Sequence, residues 1–221
     1  MSARAAVFDV DGTLVDTNYL HAVCWWEALR QAGHRVPMTA VHGAIGLGGG
    51  DLLDHLLGED RDRDGDDAVS AGHKALYGTW FERLAPFDGA ADLLRRLHGE
   101  GWTVVLATSA GGPELDALRG AIDADDVIAA TASADDVEEG KPAPEPVEHA
   151  LELAGARAED SVFVGDSVWD MRAASRAGVT PVAVLSGGVS RAALEEAGAA
   201  EVYADTAELL AGLGRSPFGG A

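Results

Sequence analysis

A few short stretches carry side chains that together can do chemistry. They are Asp9 and Asp11, which lie two residues apart and run into Gly12-Thr13, then Thr108-Ser109, Lys141, and Asp166 with Asp170. Carboxylates gathered in one place repel one another and stay ionised only beside a compensating cation. Asp9, Asp11 and Asp166, with no His or Cys among them, are the oxygen donors Mg²⁺ prefers, not the nitrogen and sulfur set of zinc. A lysine and a hydroxyl beside such an ion complete a phosphate site. Two carboxylates two residues apart on extended chain can then divide the work. One attacks phosphorus, and the other manages the proton on the leaving oxygen.

Such a division requires a scaffold that gathers distant segments. Ala5 to Phe8 is a short apolar run bounded by Asp and Gly, which predicts a buried strand ending at the acidic pair. Asn18 to Ala32 has helical apolar spacing, with Gly33 as its stop. Beyond Pro86 the pattern alternates. Helices are predicted over 90–97, 115–122, 144–154, 169–177, 191–197 and 207–213. Strands are predicted over 102–107, 127–131, 161–164, 180–185 and 201–203. Strands alternating with helices imply an α/β fold, a parallel Rossmann-like sheet flanked by helices. Such sheets bind ligands at the carboxyl ends of their strands. Asp9/Asp11, Thr108-Ser109, Lys141 and Asp166/Asp170 each follow a predicted strand, so the sheet brings them to one edge.

Residues 34–87 offer helix and loop but no convincing strand. The glycine-dense Gly43 to Gly50 lacks the preceding strand and the Gly-Lys-Ser/Thr close of a phosphate-binding loop, so it reads as a hinge or the lead into a helix over 51–57. Glu59 to Asp67 alternates in sign and reads as a solvated loop. Trp25 and Trp26 read as packing residues. Cys24 reads as a small core residue. The histidines show no metal spacing and read as structural or surface. His21, near the start of the insertion, has a position from which it can face the site. The tail from Arg215 to Ala221 is expected to fray.

Composition narrows the class of partner. The 221 residues carry 16 Lys plus Arg against 37 Asp plus Glu, a formal net charge of −21. That charge disfavours nucleic acid and anionic membrane, both of which need a cationic face. The single cysteine excludes an intrachain disulfide and a cysteine-rich zinc site. No stretch approaches the length of a membrane span, and no targeting segment is evident at the N-terminus. A soluble cytoplasmic protein is expected, as a monomer or small homo-oligomer.

Four motifs resemble those of the haloacid dehalogenase-type hydrolases, aspartate-based phosphotransferases. They are Phe8-Asp-Val-Asp-Gly-Thr-Leu-Val15, Val104-Val-Leu-Ala-Thr-Ser109, Gly140-Lys-Pro-Ala-Pro144 and Phe163-Val-Gly-Asp-Ser-Val-Trp-Asp170, in the family's order. The subgroup resembles the phosphoglycolate phosphatase and β-phosphoglucomutase branch. The resemblance implies Asp9 as nucleophile and Asp11 as acid and base. It implies Mg²⁺ on Asp9, the Asp11 carbonyl and Asp166, with Asp170 ordering the metal shell and Thr13 the first loop. Thr108 and the Ser109 N–H would hold phosphoryl oxygens, and Lys141 would neutralise charge. It also implies a catalytic core of residues 1–15 and 88–221 and a helical cap over 16–87, closing on a small phosphorylated metabolite.

The expected activity is Mg²⁺-dependent phosphomonoester hydrolysis. A sugar phosphomutase shares the chemistry as far as the phosphoenzyme. A mutase needs cap cations, and the early cap offers only Arg30, Arg35, Arg61 and Arg63. A receiver-like signalling module uses similar residues, but it lacks the insertion and takes its phosphoryl group on a later strand. The segment from His42 to Gly46 has no arginine where related enzymes often carry one for an anionic group, which tells against phosphoglycolate as substrate.

Overall fold

A computed structural model describes residues 3–219. Strands β1 (Ala5–Phe8), β2 (Thr103–Ala107), β3 (Ile128–Ala132), β4 (Val162–Gly165), β5 (Thr180–Val184) and β6 (Glu201–Tyr203) form one parallel sheet in the order β3-β2-β1-β4-β5-β6. The chain first winds outward from β1 to β3, then returns to the other side of β1 through β4. The β1/β4 boundary is therefore the point where the winding reverses, where open sheets leave a crevice at their carboxyl edge.

Side-chain alternation explains why β1 is central. Ala6 and Phe8 face one layer with Leu93, Leu94 and Leu97 of α5 (Ala90–Gly99), Leu118 of α6 (Gly112–Ile122) and Leu209 of α10 (Thr206–Gly212). Ala5 and Val7 face the opposite layer with Val147 and Ala150 of α7 (Glu145–Ala154) and Ala173 and Ala174 of α8 (Val168–Arg176). A strand buried on both faces is apolar throughout, and all four residues of β1 are fully buried. Leu194 of helix α9 (Arg191–Glu196) packs with Met171 of α8 and Ala183 of β5.

Helices α1 (Asn18–Gln31), α2 (Met38–Ala44), α3 (Gly49–Leu57) and α4 (Asp66–Gly78) lie between β1 and α5 in sequence and have their own apolar cluster. Trp25 and Leu29 of α1 meet Val41, Leu52, Leu53 and Val69 there. The chain leaves and re-enters the sheet layer side by side. Val15 bridges Pro86 in antiparallel fashion, Asp16 N–H donates to Ala85 O at 3.0 Å, and Phe87 N–H donates to Leu14 O at 2.9 Å.

The predicted helices and strands over 90–213 all form, with ends shifted by a few residues. Two other expectations change. The charge run is not simply solvated, because Arg61 is clamped by Asp54 at 2.5 Å and Asp66 at 2.6 Å. The tail does not fray over its described residues. Phe218 is buried, stacked on Phe8 at 6.4 Å and edge-on to Trp102 at 5.0 Å. One aromatic side chain outweighs the Gly- and Pro-bearing character of the segment, because it fills a hole in the first layer. Residues 220 and 221 lie outside the described residues. Phe218→Ala is expected to destabilise the protein by about 3 kcal/mol, read as a lowered urea midpoint at unchanged slope. No change would mean that the tail only rests on the surface.

Candidate active site

The acidic loop after β1 begins where Asp9 N–H closes onto Val164 O at 2.9 Å, extending the β1–β4 pairing by one residue. This pins Asp9, 4% exposed, over the crevice. Lys141, from the loop before α7, reaches it almost wholly out of water. Its Nζ lies 2.6 Å from Asp9 Oδ1 and 2.7 Å from Asp170 Oδ1. Asp170 is fixed at its other oxygen, which accepts from the Ser167 N–H at 3.0 Å and the Ser167 hydroxyl at 2.6 Å in a reciprocal cap on α8. Gly165 makes room for this, since a Cβ there would lie 2.6 Å from the Asp170 Cβ.

Asp166 accepts from Thr13 Oγ1 at 3.0 Å and Asn18 Nδ2 at 2.7 Å. A Cβ at Gly187 would overlap its Oδ2. Asp9, Asp166 and Asp170 each offer an oxygen within 4.8 Å of the others, all buried. One lysine cannot balance them. Burial raises Asp9 to about 7, helped by Asp170 and Asp11 and opposed by Lys141. Burial, with Asp170 and Asp9, pushes Asp166 well above the carboxylate range. An all-oxygen, over-charged, buried donor set of this kind fits Mg²⁺.

The Asp11 side chain does not join that group. It turns toward the helical insertion, where Oδ1 accepts from Thr17 Oγ1 at 2.6 Å and faces His21 Nε2 at 3.1 Å. Burial raises the Asp11 carboxyl, but His21 and Thr17 outweigh burial and hold it below its ordinary range. His21 answers in kind. Burial would lower it, yet Asp11 and Glu114 raise it. Any part Asp11 has in metal binding must therefore come from its backbone carbonyl.

A cavity of about 310 Å³ opens between the sheet edge and the helices. Asp9, Asp11 and Ser109 line it from the core, and His21, Trp25, His73 and the Gly46–Gly50 run line it from the insertion. Thr108 and Lys141 border an adjoining cavity shared with Ser109. Thr108 Oγ1 also accepts the Ala110 N–H at 3.1 Å, a local turn bond. The glycine run is a wall of the cavity and the start of α3, with Gly48 at its N-cap.

Several residues exceed their sequence reading. Thr13 orients Asp166 besides shaping its own loop. Asp170 stands within the carboxylate group itself. Asn18 holds Asp166 and was visible only as a helix start. His21 and His73 are not merely structural or surface residues. His21 Nδ1 meets His73 Nε2 at 3.1 Å, and both line the cavity. The available signal was the polar series Thr17, Asn18 and His21, one face of an otherwise apolar helix start. Trp169 is not among the residues that line either cavity. Its ring packs against the helical insertion's apolar cluster and its Nε1–H donates to Gly43 O at 3.1 Å.

Comparisons with known proteins identify the family of the chain. Residues 3–178 match the family model described as haloacid dehalogenase-like hydrolase. A phosphoglycolate phosphatase of Rhodospirillum rubrum is 30% identical over 98% of this chain and 93% of its own. A pyrophosphatase of Halalkalibacterium halodurans, PpaX, is 27% identical over 83% of this chain and 84% of its own. The crystal structure of a hydrolase from Pseudomonas syringae superposes with a TM-score of 0.91 at 34% identity, covering 96% and 98% of the two chains. The chain belongs to the haloacid dehalogenase-like hydrolases, as a phosphatase. The receiver-like alternative falls with that membership. Among the described residues no helix is long and apolar enough to cross a membrane.

If the three carboxylates hold a cation, Mg²⁺ stabilises the folded protein by about 2.7 kcal/mol at a hundredfold excess over Kd. Thermal unfolding is expected to move upward with Mg²⁺ in the wild type. In Asp166→Asn the same shift should need at least about tenfold more ion. An equal response in both proteins would exclude Asp166 as a ligand.

Proposed function

We propose that this chain hydrolyses phosphomonoesters of small metabolites through an aspartyl-phosphate on Asp9, with Mg²⁺ as cofactor. The observation that carries the reading is the opposition of two differently held carboxylates across one cavity. Asp9 is gripped by Lys141 on the sheet side, and Asp11 is gripped by His21 on the insertion side. The reading includes a cytoplasmic location and a monomer or small homo-oligomer.

Asp9, Asp166 and the Asp11 carbonyl would hold the ion, with Asp170 beside them. When bound, the ion supplies positive charge to the phosphoryl oxygens and to the carboxylates around it. Lys141 keeps one Asp9 oxygen fixed and adds its own charge to the phosphoryl site. Thr108 and the Ser109 N–H complete the phosphoryl cradle. An Asp9 oxygen attacks phosphorus as the ester P–O bond breaks, and the departing alkoxide takes a proton from the Asp11–His21 pair. In the second step Asp11, as the carboxylate, takes a proton from water while that water attacks phosphorus. The P–O bond to Asp9 then breaks and Asp9 is restored. The cap, residues 16–87, closes over the reacting atoms and surrounds the leaving group. His42 donates to Gly187 O at 2.9 Å and Trp169 to Gly43 O at 3.1 Å, fastening that closed form.

Release of inorganic phosphate from a panel of small phosphomonoesters tests this directly, and it also separates hydrolysis from mutase turnover. Asp9→Asn is expected to lower kcat by about four orders of magnitude or more. Asp11→Asn is expected to cost about 10²–10⁴-fold. EDTA should abolish release and Mg²⁺ restore it. Undiminished turnover in Asp9→Asn would end the proposal.

A further inference from the structure

Glu114 stands in the first turn of α6 and lines the cavity from the core side. Its Oε1 lies 3.7 Å from His21 Nε2, the nitrogen that also serves Asp11. Asp11, His21 and Glu114 each put a polar atom within 4.8 Å of the others. Whatever is bonded to the oxygen that Asp11 serves must therefore pass beside Glu114. The His21 N–H between the two carboxylates already occupies the centre of this trio.

The charges around that position decide what can sit there. His21 has no donor to spare, because Nε2 faces the two carboxylates and Nδ1 meets His73. Lys141 is committed to Asp9 and Asp170. Lys74 is the one lysine lining the main cavity, and no arginine lines it among the described residues. Lys74 is exposed, so solvent and salt screen its charge, whereas the Glu114 side chain is only 17% exposed. An anion placed there would stand beside both the Asp11 and Glu114 carboxylates, with no buried cation free to offset it.

We infer that Glu114 selects the leaving group, favouring alcohols that carry a neutral hydrogen-bond donor or a cation near the ester oxygen and disfavouring those that carry an anion. The inference rests on the phosphatase reading above. It separates this chain from the relatives named for phosphoglycolate and pyrophosphate, whose leaving groups are anionic.

Three near-isosteric esters read the charge directly: phosphoethanolamine, ethylene glycol monophosphate and phosphoglycolate. Wild-type kcat/KM is expected to be at least about tenfold higher for each of the first two than for phosphoglycolate. Inorganic pyrophosphate should fall with phosphoglycolate. In Glu114→Gln the ratio of phosphoglycolate to ethylene glycol monophosphate should rise about tenfold, whatever happens to the absolute rates. A wild type that prefers phosphoglycolate overturns the inference without any variant, as does an unchanged ratio in a folded Glu114→Gln. Either outcome leaves the phosphatase reading intact. Loss of all phosphate release in the wild type would instead defeat that reading first.

Discussion

Lys141 is one of two lysines in a chain with fourteen arginines, and its ammonium group is buried between Asp9 and Asp170. Removing a charge from water costs several kcal/mol, and a buried ion recovers this only against a well-placed partner. Lys141 has two partners, and a third carboxylate, Asp166, stands beside them. Much of the sheet's carboxyl edge follows from this one constraint. β1 and β4 must be neighbours so that Asp9 and Asp166 meet. Gly165 must lack a side chain so that Asp170 can approach, and Ser167 must hold the second Asp170 oxygen. The cluster is left with more negative charge than its lysine can balance, and a divalent cation there would offset that excess and leave positive charge to meet an anionic phosphoryl group.

The second half of the site is built on a different principle. Asp11 is two residues from Asp9, yet its side chain points to the opposite wall. There a histidine from the inserted helices and a threonine at their root hold it as a carboxylate. The two aspartates thus occupy opposed environments, one raised and one lowered in acidity range. Pairs of titratable groups pushed apart by their surroundings are a usual mark of divided roles, which the proposed mechanism assigns as nucleophile and proton carrier. Because His21 belongs to the insertion, the Asp11 environment is complete only when insertion and core lie together. His42 and Trp169 supply contacts that hold them so.

The centre of the sheet was legible in the sequence because strands buried on both faces read as apolar runs, and those of β1 and β4 run straight into Asp9 and Asp166. Asp9 and Asp166 were legible for the same reason, since each directly follows its strand, whereas Asp170 and Lys141 were legible through the motifs that hold them. What stayed hidden depends on tertiary contact. Nothing local to Phe218 says that a hole awaits it between Phe8 and Trp102. Nothing in the first turn of α6 distinguishes Glu114 from an ordinary acidic residue near a helix N-terminus. His73 sits in an amphipathic helix like any half-buried residue, and only its meeting with His21 and Trp25 gives it a site to line. Nothing within its motif tells what Trp169 touches. Its explanation, a core residue reaching into the insertion's apolar cluster, required the packing of two units against each other.

The central claim is that Asp9 itself carries the phosphoryl group. Acid-quenching the protein during turnover of a labelled phosphomonoester with Mg²⁺, followed by peptide mapping, tests it most directly. The account predicts label on the peptide containing Asp9 in the wild type and none in Asp9→Asn. Continued turnover with the label absent from that peptide, or carried by another residue, would contradict it.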